Sequence, residues 1–223
     1  MTLDRSGASD RRHGDRDTSR SIGHDVVMPA DGKRVPFDSE EYTERTRTNS
    51  CFVCRLASNS HGEHVVYRDD HHIAFLPRFH VQLGYVLVAP LEHREAVADD
   101  FTTDEYLSLQ AVVHRIARAL AYVVPTERIY VASLGSQQGN AHVHWHIAAL
   151  PPGVAFEDQQ FRAMMPETRG VLDLAEADRD RLAAGLRTSM SVVIRNAPLC
   201  RRRQRPHQQR QARRESRRTR LRY

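Results

Sequence analysis

The sequence predicts an α+β domain, an antiparallel five-stranded sheet with helices packed on one face. Five short apolar stretches bounded by turn residues, one long segment of helical periodicity, and connections short enough to join antiparallel neighbours predict it. Residues 1–37 are rich in Arg, Asp, Ser and Gly without apolar periodicity, and are expected to be disordered. Ser39 to Arg47 opens Ser-Glu-Glu, a good helix start. The dense apolar pattern begins at Cys51. His64–Tyr67 and Ile73–Leu76 are strands separated by the turn residues Asp69-Asp70, and Gly84–Ala89 is a third strand closed by Pro90. The clearest helix follows: Thr102 and Glu105 form a capping box, and Tyr106, Leu109, Val113, Ile116 and Leu120 recur at helical spacing. Arg128–Ala132 is a fourth strand. The loop Gly135-Ser136-Gln137-Gln138-Gly139-Asn140 leads to a fifth, Ala141 to Ala149, which Pro151-Pro152-Gly153 stops. A last helix lies within Asp178 to Ile194, so one domain spans residues 38–196 and an Arg-rich disordered tail spans 197–223.

Charge is unevenly distributed. The chain has 223 residues and a net charge of +5. From Arg201 to Tyr223 there are eleven Arg against one acid, Glu215, which gives that stretch +10 and leaves −5 for the rest. Bulk charge therefore gives the domain no nucleic-acid role, whereas the tail could touch a polyanion weakly through phosphate charge, or have no role. No apolar run approaches the roughly 18 residues of a membrane span. The first residues are charged and unlike a secretory signal, so a cytoplasmic protein without membrane contact is expected. Three cysteines, an odd number, argue against a disulfide framework. Cys51 and Cys54, in Cys-x-x-Cys spacing, are metal ligands or reduced thiols, and Cys200 stands alone.

His142, His144 and His146 alternate with apolar residues. On a strand they share one face, about 7 Å apart in succession, while Val143, Trp145 and Ile147 point into the core. Three imidazoles on one face are a poor packing solution, since each polar nitrogen needs a partner. Metal ligation and nucleophilic attack on phosphorus both suit such a row. The preceding loop favours the second: its glycines let backbone N–H groups converge, and its amides add donors, as a bound phosphate requires.

The run His142-Val-His144-Trp-His146-Ile-Ala resembles the signature of the histidine triad family, three histidines alternating with apolar residues. The resemblance covers about residues 50–153, including Cys-Phe-Val-Cys at 51, Ala74-Phe75-Leu76, the Gly84 strand and Leu-Glu-His93. It implies a HIT-like α+β fold, usually a homodimer, acting on dinucleoside polyphosphates, nucleoside phosphoramidates or nucleotidyl donors. It further implies that His144 is the nucleophile toward the α-phosphate, forming a nucleotidyl-histidine that water or another acceptor resolves. His146 contacts the phosphate and leaving group as a proton source, and His142 supports the site. Asn140 occupies the place of a polar phosphate contact, with Gln137 and Gln138 as alternatives. Members that carry structural zinc hold it with the counterparts of Cys51, Cys54, His93 and His142. The alternative is a zinc-stabilised nucleotide-binding module with little catalysis. Where many members have an Asp for the ribose hydroxyls, this chain has Pro77, followed by Arg78. His71-His72 reads as a surface turn, while His80 and Tyr85 could approach a nucleotide but no spacing places them.

Overall fold

The structure, a computed structural model, describes residues 32–48, 50–58, 64–135 and 139–195. Both expected tails beyond these, Gln137, Gln138 and Cys200 lie outside the described residues. In chain order the elements are β1 (Arg34–Val35), α1 (Ser39–Thr48), α2 (Phe52–Ser58), β2 (Val65–Arg68), β3 (His72–Phe75), β4 (Gly84–Pro90), α3 (Thr103–Val123), β5 (Arg128–Ser133) and β6 (Trp145–Leu150). The short helices α4 (Phe161–Met164) and α5 (Pro166–Arg169), strand β7 (Val171–Leu172) and the long α6 (Glu176–Arg195) follow.

The five-stranded sheet has the order β2-β3-β4-β6-β5, antiparallel throughout. Strand alternation sorts its side chains into two layers. Ala74, Val86, Val88, Trp145, Ile147 and Ala149 face α3 and α6, which bring Leu109, Ile116, Leu120, Leu182 and Leu186 into one core. Ile73, Phe75, Tyr85, Leu87, Ala89 and Ala148 face the other way, where Val53 of α2 and Met164 of α4 cover them. The two long helices thus share one face, as expected, and the short helices occupy the other. α3 begins at Thr102 with the expected capping box: Thr102 accepts from the Glu105 amide, and the Glu105 carboxylate accepts from the Thr102 amide.

Three expectations change. The segment 32–37, expected to be disordered, is ordered: β1 pairs with β7, Arg34 opposite Leu172 and Val35 opposite Val171. Gly170 permits this approach, since its φ is +66° and a Cβ there would lie 2.3 Å from the Val35 carbonyl oxygen. Two-residue strands carry too little periodicity to show in sequence. The fifth strand begins at Trp145, not Ala141, because the Val143 amide leaves the ladder to donate to the Arg94 carbonyl, 2.7 Å away. His72 is buried rather than superficial: its Nδ1 lies 3.0 Å from the Asp69 carboxylate, which also accepts from the His71 and His72 amides. Those amides and the Tyr67 hydroxyl offset the cost of burying Asp69 and hold its carboxyl down at about 2.

Gly84, at the start of β4, sits under the α3 end: a Cβ there would come 2.7 Å from Ala149 Cβ and from Val124 Cγ2. Gly84→Ala is expected to destabilise the domain by about 1–3 kcal/mol through overpacking, measured by urea denaturation. His80 gives a second prediction. Its ring is fully buried with neither nitrogen bonded among the described residues, and burial first, then Arg179 and His64, push it down to about 3. The unfolded chain binds that proton below about pH 6.5 and the folded chain does not until about pH 3. Stability should therefore fall as pH drops from 6.5 toward 3. In His80→Phe the urea midpoint should fall less over that range than in the wild type, and an equal fall would assign the effect to other groups.

Candidate functional site

The histidine run crosses from an irregular segment into β6. Val143, Trp145 and Ile147 are buried in the α3–α6 core, which turns the three histidines to the opposite layer. His146 alone lies within the ladder, opposite Leu87 of β4 and Ala132 of β5. Its ring centroid is 4.7 Å from that of His144, and the Phe52 ring meets His144 edge-on at 5.6 Å. The spacing is tighter than a regular strand gives because residues 142–144 precede the ladder.

Backbone carbonyls fix the proton on two of the three rings. His144 Nδ1 lies 2.7 Å from the His142 carbonyl, which can only accept, so Nδ1 carries the hydrogen and Nε2 keeps its lone pair. His142 is reversed: Nε2 lies 3.0 Å from the Pro90 carbonyl and carries the hydrogen, leaving the Nδ1 lone pair free. His146 Nδ1 lies 2.7 Å from the Tyr85 hydroxyl, while its Nε2 is buried without a partner among the described residues. Burial lowers the proton affinity of all three. It takes His142 to about 4, against the opposing bond to Pro90, and His146 to about 3 with the added effect of His144. His144 is lowered by burial, partly offset by its bond to the His142 carbonyl. All three are neutral near pH 7.

The described ends of the loop before the run, Gly135 and Asn140, pack closely. Gly135 has φ +125°, and a Cβ there would lie 2.8 Å from the Asn140 carbonyl oxygen and 3.6 Å from His144 Cε1. Asn140 itself adopts φ 55°, and its side-chain amide donates to the Tyr42 hydroxyl of α1 at 2.5 Å. Tyr42 had no periodic or motif signal that would mark it, and Phe52 stood only as a spacer within Cys-Phe-Val-Cys. Tyr85 did have one: strand alternation puts it on the face of Leu87, which pairs with His146, but reading it requires knowing that β4 and β6 are neighbours. His80, the other residue with no assigned place, is buried beside His64 and Arg179.

Cys51, Cys54, His93 and His142 come together, their four ligand atoms all within 4.8 Å of one another. Cys51 Sγ is 3.4 Å from His142 Nδ1, and Cys54 Sγ is 3.3 Å from His93 Nδ1 and 3.6 Å from His142 Nδ1. A tetrahedral zinc with Zn–S of about 2.3 Å and Zn–N of about 2.0–2.1 Å sets such neighbours roughly 3.3–3.8 Å apart. The outer nitrogens are anchored as metal-ligating histidines require, His142 Nε2 on Pro90 and His93 Nε2 on Glu95 at 3.0 Å. Burial, then the neighbouring Cys51 sulfur, push the Cys54 thiol up to about 11, so without a cation it stays protonated. The donor set is compatible with zinc.

Comparisons with known proteins agree with this geometry. The model of the HIT domain matches residues 59–151. An uncharacterized HIT-like protein of Mycoplasma genitalium is 32% identical over 112 residues, 48% of this chain and 77% of that one. The protein hit of Bacillus subtilis is 29% identical over 103 residues, 46% of this chain and 70% of that one. Among solved structures, a hypothetical histidine triad nucleotide-binding protein of Sulfolobus tokodaii has a TM-score of 0.54 at 21% identity, covering 66% of this chain and 96% of that one. A zinc-bound histidine triad family protein of Mycobacterium smegmatis has a TM-score of 0.51 at 21% identity with the same coverage. At that identity these two structures speak for the fold. With five strands in this order, three alternating histidines turned to one face, and a relative 32% identical over 77% of its length, the chain belongs to the histidine triad (HIT) family.

Proposed function

We propose that the protein is a nucleotide hydrolase or nucleotidyl transferase that cleaves at the α-phosphate through a nucleotidyl-histidine on His144, with dinucleoside polyphosphates or nucleoside phosphoramidates as substrates. The observation that carries this reading is the bond from His144 Nδ1 to the His142 carbonyl, which leaves an unprotonated Nε2 on a neutral, buried ring. In the first step the Nε2 lone pair forms a bond to the α-phosphorus as the bond to the leaving group breaks. The ring becomes a cation, and the His142 carbonyl at its Nδ1–H stabilises that charge. In the second step water or another acceptor attacks the phosphorus and the electron pair returns to Nε2.

His146 serves the leaving group. This role needs the tautomer in which the Tyr85 hydroxyl, 2.7 Å away, donates to Nδ1 and Nε2 carries the hydrogen toward the leaving atom. Burial keeps this ring neutral in the free protein, and an anionic substrate would restore proton affinity by supplying a nearby negative charge. Asn140 contributes a donor to the phosphate. Cys51, Cys54, His93 and His142 would hold a structural zinc, which when bound supplies a closed Cys₂His₂ link between α2 and the histidine run. The mycobacterial relative in fold is itself zinc-bound, which supports the assignment. His142 then has two duties: its ring is a ligand and its carbonyl orients His144.

Two predictions test this. Wild-type protein mixed with a dinucleoside polyphosphate or a nucleoside phosphoramidate and quenched in alkali should gain the mass of one nucleotidyl group on His144. His144→Ala should lose both the adduct and about a thousandfold or more in turnover. Normal hydrolysis by that variant would refute the role given to His144. Purified protein should also contain about one equivalent of zinc. Cys54→Ser should lose most of it and melt several degrees lower. Less than about a tenth of an equivalent in the wild type would sink the metal assignment.

A further inference from the structure

α1 precedes residues 59–151, the stretch that the HIT family model matches, and yet it closes onto the site. Its sequence, Ser-Glu-Glu-Tyr-Thr-Glu-Arg-Thr-Arg-Thr, contains one apolar side chain, Tyr42. A ten-residue helix of that composition has little stability of its own in water, so its position depends on what Tyr42 finds. Tyr42 packs between two rings, 5.2 Å from Phe37 and 6.0 Å from Phe79 by centroids, and Phe37 meets Phe79 edge-on at 5.4 Å. One turn on, Thr46 Oγ1 lies against Gly139, where a Cβ would come within 3.2 Å of it. This contact and the Tyr42–Asn140 hydrogen bond join α1 to Gly139 and Asn140, which lead into the histidine run.

The hydroxyl of Tyr42 has a further property. The Asn140 amide nitrogen can only donate, so the hydroxyl accepts in that bond and its own proton is not used there. Among the described residues no acceptor takes that proton. Asn140 and His144 both border Gly135, where a Cβ would lie 2.8 Å from the Asn140 carbonyl oxygen and 3.6 Å from His144 Cε1, and Tyr42 is close enough to Tyr85 to act on it electrostatically. Tyr85 in turn holds His146. Through Asn140 the Tyr42 hydroxyl is therefore tied to the segment that leads into the histidine run. Burial, assisted by Glu167 and opposed by Asn140, raises its proton affinity further, so it is a donor at any physiological pH and never a base.

We propose that Tyr42 is a substrate-contacting residue, which donates its hydroxyl hydrogen bond to a non-bridging oxygen of the α-phosphate. This rests on the reading of the site as one that binds a nucleotide phosphate. Negative charge on those oxygens is best met by a fixed donor, and a neutral, half-buried phenol supplies one without adding charge. The chain thus completes its phosphate site with a residue from outside the family-matched region. A packing role alone would need the ring of Tyr42 but not its hydroxyl.

Tyr42→Phe keeps the ring and removes the donor. Isothermal titration of wild type and variant with AMP, GMP, CMP and UMP, and with the matching nucleosides, reads the phosphate contribution directly. The wild type should bind at least one monophosphate, and Tyr42→Phe should weaken it about tenfold while the nucleoside affinity is unchanged. The same substitution made on Asn140→Ala should still weaken the monophosphate, since the Tyr42 contact is its own and not only a support for Asn140. A change under twofold, an equal loss for nucleoside and monophosphate, no further loss on Asn140→Ala, or no monophosphate binding by the wild type would each overturn the proposal. The adduct on His144 is measured separately by mass, so failure of the covalent mechanism and failure of the Tyr42 contact are distinguishable.

Discussion

The site depends on one backbone carbonyl. The oxygen of His142 accepts from His144 Nδ1, while the ring of the same residue is pinned by its Nε2 to the Pro90 carbonyl. A buried neutral imidazole must choose between two tautomers, and a carbonyl decides the choice because it has no hydrogen to give. Two carbonyls therefore set two adjacent histidines to opposite tautomers. One lone pair faces two cysteine sulfurs, and the other is left on His144 Nε2. The chemical difference between residues of one type comes from backbone placement, which is why residues 142–144 stay out of the ladder that β6 begins at Trp145.

Burial then gives each position its use. Water would let these rings take protons near pH 6.5, and removal from water keeps them neutral. Phe52 and Phe75 supply part of that shielding from α2 and β3, their rings 6.0 Å apart. α2 is also the helix that carries Cys54, so the element that covers His144 is tied at the same end to the Cys/His cluster. Packing and ligand geometry are thus not separate layers of this structure.

Much of the fold was legible in sequence because it follows local chemistry. The Thr102–Glu105 box marks α3 to the residue, and short apolar runs bounded by turn residues mark β3 and β4 within a residue or so. The Cys51, Cys54, His93 and His142 set was legible only through resemblance, since 91 positions separate Cys51 from His142 and no local rule joins them. α2 escaped notice because seven residues with one fully buried side chain give little periodicity. The β1–β7 pair escaped for the same reason, two residues a side. Tyr42 was illegible in principle. Its meaning lies in Asn140, 98 positions away, and in that residue's positive φ, which no local pattern in α1 could reveal.

Strand β4 has a consequence of its own. Its alternate residues serve opposite masters: Val86 and Val88 fill the core under α3, and Tyr85 and Leu87 form the layer that holds His146. Gly84, immediately before Tyr85, is wedged against the end of α3. A strand moves as a unit, so a misfit on the helix side displaces the hydroxyl on the other side by a similar distance. Variation in the hydrophobic core here is also variation in proton placement. A substitution in β4 that changes its fit under α3 therefore bears on Tyr85 and on the histidine it contacts.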